Sequence, residues 1–309
     1  MAERIPLQPV DAVEILVLVD NSSDMLLRGG EGVKRRGWTD GLFVEAPLML
    51  DPRLPRFLAA EHGFSALVSV TAGGRRRRLL FDAGLSVDGL AHNLDVLQID
   101  LAEIEAIVLS HGHFDHIGGL NGLIRRFGAR NLPMLVHPDF WLRRRIAVPG
   151  QEPFELFAPS RGAMEGAGFE IIEGRAPSLL LNGSVLITGE VARTTEFERG
   201  FPVHQAHRDG GWAPDPLILD AQALIVNVRG RGLAVLTGCG HAGIVNIVRH
   251  ARALTGETRL AAVVGGFHLG GPLFEPCIAP TVAALREAAP SMVVPAHCTG
   301  FAATRARAD

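Results

Sequence analysis

His111-Gly112-His113-Phe114-Asp115-His116 places four potential metal ligands within six residues. The apolar run Ala106-Ile107-Val108-Leu109 precedes it and reads as a buried strand. Ile117-Gly118-Gly119-Leu120-Asn121-Gly122-Leu123-Ile124 follows and reads as the first turns of a helix. The cluster therefore falls where a strand ends and a helix begins, at the carboxyl edge of a sheet. Open α/β folds place their ligands at that edge. In extended chain, residues two apart point the same way, so His111 and His113 can offer imidazole nitrogens to one ion. The chain then turns at Asp115 and His116, which face a second ion or complete the first. Imidazole with carboxylate suits zinc, and also iron, manganese or nickel. The competing reading, surface histidines near a helix start, needs four ligand-type residues to reach this spacing by chance.

Composition bounds the rest. The chain has 309 residues, 47% hydrophobic and 20% charged, as in a globular protein. A net charge of −3 gives no global argument for nucleic acid or an anionic membrane as partner. No apolar run reaches the ~18 residues of a bilayer span, and Met1-Ala2-Glu3-Arg4-Ile5-Pro6 lacks a signal-peptide core. Three cysteines, Cys239, Cys277 and Cys298, are too few for a disulfide framework, so a cytoplasmic, reducing location is expected.

Outward from the cluster, Ala12 to Val19 reads as an early strand and residues 22–58 as irregular, a lid, partner contact or surface insertion. Phe64 to Val70 and Leu79 to Phe81 read as a hairpin about Gly73-Gly74. Arg75-Arg76-Arg77-Arg78 lies in that hairpin. Without aromatic interleaving, it reads as a solvated charged edge rather than a nucleic-acid patch. Pro133 to His137 is another strand, with His137 taken as structural, and residues 142–165 read as a flexible cover over a cleft. Short strands at 168–172, 178–181 and 184–188 restart a sheet, and 200–217, with His204 and His207, reads as a loop. Gln222 to Val228 and Gly232 to Leu236 form a second hairpin, ending at Thr237-Gly238-Cys239-Gly240-His241. A thiolate or imidazole there can bind metal, though a buried Cys is also an ordinary packing residue. A helix is expected from near Ile244 to Leu254 and another from Pro280 to Ala289. His268 and His297 each terminate an apolar strand on the edge that carries His111. His268 is a ligand or a substrate contact. The tail, residues 302–309, is expected to fray.

Ser110 to Leu120 resembles the HxHxDH signature of the metallo-β-lactamase-fold superfamily. Val19-Asp20-Asn21, Glu61-His62-Gly63, Leu80 to Gly84, Thr237 to Gly243, Gly265 to Leu269 and Pro295 to Cys298 follow the same resemblance. Together they are similar to its branch of metal-dependent hydrolases like dihydropterin ribofuranosyl-aminobenzene phosphate synthase. The resemblance implies a four-layer αβ/βα sandwich, one domain of two halves (roughly 12–165 and 166–301) with the metal cleft between them. It implies that Asp82 supports the metal site from behind the ligands, with a helix N-cap as the alternative, and that His297 is the last ligand. The superfamily's usual histidine near Gly189-Glu190-Val191 is missing, leaving Glu190 or Glu196 as substitutes. Cys239 stands where a bridging aspartate is usual. One tight ion on His111, His113 and His297 is therefore expected. A looser ion is expected on Asp115 and His116, helped by Cys239 and by His241 or His268.

The function implied is metal-dependent hydrolysis of a small molecule, one bearing phosphate or pterin by the branch resemblance. Zinc is the first choice of metal and iron or manganese the others. Asp115 would orient or deprotonate water, and the second metal or His268 would stabilise the oxyanion. The rivals are iron-dependent redox chemistry on the same scaffold and a metal-binding sensor without turnover. Oligomeric state stays open.

Overall fold

The computed structural model describes residues 4–36, 41–128 and 131–308. The chain opens with β1 (Ala12–Val19), the small hairpin β2 (Phe43–Glu45) and β3 (Arg53–Pro55), then the hairpin β4 (Ser65–Ala72) and β5 (Arg75–Phe81). After α1 (Gly89–Val96) come β6 (Ile104–Val108), α2 (Leu120–Phe127), β7 (Leu132–Val136), β8 (Arg144–Ile146), β9 (Phe154–Glu155), α3 (Arg161–Gly166) and β10 (Phe169–Glu173). The second half runs β11 (Ser178–Leu180), β12 (Val185–Ile187), β13 (His204–Arg208), β14 (Gly211–Pro214), β15 (Ala223–Val228) and β16 (Gly232–Thr237). It closes with α4 (Ile244–Thr255), β17 (Leu260–Gly266), α5 (Ile278–Ala288), β18 (Val293–Ala296) and α6 (Phe301–Ala308).

Two six-stranded mixed sheets result, ordered β1-β4-β5-β6-β7-β10 and β11-β12-β15-β16-β17-β18. Side chains alternate across a strand, so each strand feeds two cores. Ala66, Val68 and Val70 of β4 and Leu79 and Phe81 of β5 meet Leu224 and Val226 of β15 and Ala234 and Leu236 of β16 between the sheets. Leu67, Leu80 and Ile107 face the other way, onto Leu90 and Leu94 of α1 and Leu120 and Leu123 of α2. Ile225, Leu233 and Val235 face outward in the second sheet, onto Ile244, Ile247, Val248 and Ala251 of α4 and Leu285 of α5. That is a four-layer αβ/βα sandwich. Each fully buried Leu, Ile, Val or Phe side chain contributes about 1.5–3 kcal/mol relative to exposure.

Several local expectations change. The first sheet takes β10, parallel to β7, so the change-over between sheets falls between Glu173 and Ser178 rather than near residue 165. Residues 204–214 form a hairpin, not a loop, and β13 pairs with β8 in a separate four-stranded sheet, β14-β13-β8-β9. The stretch 142–165 thus contributes strands, and its Arg144 is one of the largest fully buried side chains. The tail is helical through Ala308, and Asp309 lies outside the described residues. Of residues 22–58, 37–40 lie outside the described residues; the rest is irregular apart from β2 and β3 and exposes Phe43, Leu48 and Leu50. In the basic run, Arg76 pairs with Glu14, Arg77 with Glu105 and Arg78 with Glu103.

Candidate metal centre

The ends of β1, β5, β6, β16, β17 and β18 converge on one edge of the sandwich. After β6 the chain stays extended through His111 and His113, then makes a short 3-10 turn over Phe114–His116 before α2. Gly112 is required there: a Cβ would lie 2.1 Å from the Phe140 carbonyl oxygen. Its N–H donates to Asp220 Oδ2 at 2.8 Å, and Asp220 Oδ1 accepts from the buried Arg144 at 2.6 Å. The loop between the two histidines is therefore fixed from beneath by an ion pair that sequence reading did not single out.

Two ligand groups assemble, each with its donor atoms within 4.8 Å of one another. One is His111, His113 and His241; the other is Asp115, His116, Cys239 and His297. The grouping of donor atoms differs from the expected partition of ions. His297 stands with Asp115, its Nε2 3.3 Å from Asp115 Oδ2, and His241 joins the first pair, its Nε2 3.2 Å from His113 Nδ1. The physical reason is topological: β18 is the outer strand of its sheet, and Asp20 and Asn21 at the end of β1 hold His297. His241 rides the turn after β16, a more central strand. Cys239 and His241 also form a third group with His268.

The orientation of each imidazole follows from its other nitrogen. Asp82 is fully buried at the end of β5. Its Oδ1 accepts from Ser110 N–H at 2.7 Å, and its Oδ2 accepts from Ser110 Oγ and His116 Nδ1, both at 2.7 Å. His116 therefore carries its proton on Nδ1, which leaves Nε2 facing Cys239 Sγ at 3.1 Å. Ser110 Oγ, having given its proton to Asp82, accepts from His111 Nδ1 at 2.9 Å and leaves His111 Nε2 bare. In the same way, the Asn21 amide oxygen takes the Nδ1 proton of His297 at 3.1 Å. Glu61 accepts from Leu85 N–H at 2.8 Å and Ser86 N–H at 3.1 Å, and His62 stands 3.7 Å from Asp115 Oδ2. Those contacts account for the Asp20-Asn21 and Glu61-His62-Gly63 motifs. Backbone strain accompanies them: Asp82, His268 and His297 all have φ between 46° and 58°. Such left-handed residues cost about 1–3 kcal/mol each and cluster at functional sites.

Electrostatics keeps three of the imidazoles neutral and charges His116 and Asp115. Burial first, then neighbouring rings and, ahead of them for His113, the Arg144 guanidinium hold His111, His113 and His241 well below the ordinary imidazole value. Burial also pushes His116 down, but the carboxylates of Asp82 and Asp115 outweigh it and raise the ring to about 9. A cation on the same residues would compete with that proton. Burial pushes Asp115 up, but His116, His297 and His113 together bring it well below the carboxylate range, so it is ionised. The Cys239 thiol is raised, by burial first and then by Cys298.

The donor set fits a metal. His111 Nε2 and both ring nitrogens of His268 are buried with no hydrogen-bond partner among the described residues. An unsatisfied buried polar atom costs about 1–3 kcal/mol, and these line a cleft already rich in imidazole, carboxylate and thiol. His268 borders a small aromatic recess, with Phe274 4.4 Å and Phe201 5.4 Å from its ring.

Other candidates fall elsewhere. Glu190 bonds to His137 Nε2 at 3.1 Å and Arg175 at 2.9 Å, and belongs to neither ligand group; Glu196 is exposed. His137 is buried in that network, which matches a structural role. His207 packs against Trp212. His204, assigned no role from sequence, is fully buried with its Nε2 3.1 Å from His113 Nε2. No local spacing marks it, since 91 residues separate the two.

This edge-on cluster over a four-layer sandwich defines a class. The family profile of the metallo-beta-lactamase superfamily matches residues 62–261, and the chain belongs to that superfamily, whose fold implies a metal cofactor. The chain is 29% identical over 250 residues to a 7,8-dihydropterin-6-methyl-4-(beta-D-ribofuranosyl)-aminobenzene-5'-phosphate synthase of Methanocaldococcus jannaschii, covering 79% of this chain and 83% of that one. It is 30% identical over 261 residues to an uncharacterised protein of the same organism, covering 83% of this chain and 91% of that one. A crystal structure described as a metal-dependent hydrolase of the beta-lactamase superfamily superposes with a TM-score of 0.68 at 25% identity, over 95% of this chain and 91% of that one.

Proposed function

We propose that this protein is a metal-dependent hydrolase of a small-molecule substrate. The bare, buried His111 Nε2 among six further donors carries the proposal. His111, His113 and His241 would hold one cation. Asp115, His116, Cys239 and His297 would hold a second, and zinc suits a set that mixes imidazole, carboxylate and thiol. A cation bound there supplies hydroxide at neutral pH by lowering the pKa of water to about 7. The residues do the rest. Asp115, ionised and facing His62, His116 and His297, orients the attacking water and takes its proton. His268, unpartnered beside the aromatic recess, donates to the substrate oxygen that gains charge. Asp82 and Asn21 keep the ligand rings in their tautomers.

The relative that is named a synthase of a phosphate-bearing pterin compound supports a phosphate- or pterin-bearing substrate. Three free cysteines, and no helix among the described residues long and apolar enough to cross a membrane, support a cytoplasmic setting. The test is a panel of phosphate esters, phosphodiesters, lactones and thioesters against metal-replete protein of measured content. Turnover that disappears with chelation and returns with zinc is expected. Full metal content with no hydrolysis across the panel would reject the hydrolase reading, and turnover only with iron and an electron acceptor would replace it with redox chemistry.

A further inference from the structure

His204 is buried, polar, remote in sequence from every proposed ligand, and unused by the mechanism above. Its Nδ1 lies 3.0 Å from the Asp215 carbonyl oxygen and 3.4 Å from Asp215 Oδ2. Both atoms can only accept, so the His204 proton sits on Nδ1. In the neutral ring its Nε2 is then bare and accepts from His113 Nε2, 3.1 Å away. That puts the His113 proton on Nε2 and leaves His113 Nδ1 bare, directed at His241 Nε2 3.2 Å away. With both rings neutral each step follows from the previous one, and the chain of bonds ends on the ligand group.

We propose that His204, held by Asp215, is a positioning residue that fixes His113 as an Nδ1 ligand and ties the β14-β13-β8-β9 sheet to the metal centre. His204 opens β13, where it pairs with Ile146 of β8. Two residues earlier in β8, Arg144 binds Asp220, whose other oxygen holds Gly112. The small sheet thus grips the His111–His113 segment at two points, the Gly112 amide and the His113 ring. Imidazole ligands depend on the partner of their second nitrogen, and loss of that partner weakens metal binding by about 10–100-fold. Arg208, across from Gly211 on the same hairpin, binds Asp139 and Asp215 and braces the arrangement.

The proposal rests on His113 being a ligand, so the test separates the two. Zinc affinity is measured by chelator competition on the full chain for wild type, His204→Phe, His204→Gln and His111→Ala. His204→Phe should weaken the zinc held by His111, His113 and His241 by about 10–100-fold. His204→Gln, whose amide oxygen can still accept from His113, should recover most of that loss. Wild-type affinity in His204→Phe, or equal losses in Phe and Gln, overturns the positioning role. Unchanged zinc in His111→Ala overturns the metal assignment beneath it. Long-range 15N–1H NMR of zinc-loaded wild type gives a reading that does not depend on a variant folding. The expected tautomers are Nε2–H on His113 and Nδ1–H on His204, and the reverse on either ring overturns the proposal.

Discussion

The two large sheets repeat one pattern, an antiparallel hairpin followed by two parallel strands: β4-β5-β6-β7 in the first, β15-β16-β17-β18 in the second. Their strand ends correspond. Asp82 after β5 matches Gly238-Cys239 after β16, Ser110-His111 after β6 matches Phe267-His268 after β17, and His137 after β7 matches His297 after β18. The first half spends one strand end on four donors and uses the other two for support, Asp82 beneath the rings and His137 in a network with Glu190. The second half spreads its donors over all three ends. A ligand cluster held in one turn is a local feature of the chain, whereas donors spread over three strands exist as a group only when the sheet has formed.

This contrast can be broken by substitution. His111→Ala or His113→Ala should remove most bound metal and essentially all turnover while the circular dichroism spectrum stays native; retained metal stoichiometry would dissolve the first group. Asp115→Asn keeps the shape and removes the proton acceptor. Turnover in metal-matched protein should fall at least about a hundredfold, and near-wild-type rates would exclude Asp115 as base. Cys239→Ser probes the second half. In a chelator titration it should loosen only the cation shared with Asp115, His116 and His297, so that two unequal steps separate further. A titration unchanged by Cys239→Ser would leave Cys239 as a packing residue. The smallest effect is expected at His137→Ala. Metal content by mass spectrometry should not change, although the equivalent His297→Ala should lower it. Loss of metal in His137→Ala would erase the distinction between the two third strands.

The same contrast explains what could be read from the sequence. The six-residue cluster, its flanking strand and helix, and the hairpins at Gly73-Gly74 and Gly230 were legible, because period-two burial and turn glycines are local. The sandwich was legible through resemblance. The grouping of candidate donors was not, since His241 and His297 fall into their groups by which strand is outermost, and strand order is not written in spacing. Nor was His204, whose partner is 91 residues away, nor the buried Arg144–Asp220 pair, 76 residues apart. Arg144 sits between two other arginines and reads as part of a flexible cover over the cleft until Asp220 is brought beneath it.

The central claim is that a two-cation centre is built jointly by the two halves. Anomalous diffraction at the zinc edge from crystals of zinc-loaded protein tests it most directly. The account predicts two peaks, one bounded by His111, His113 and His241, the other by Asp115, His116, Cys239 and His297. A single peak held by first-half residues alone, or density remote from His241 and His297, would contradict it.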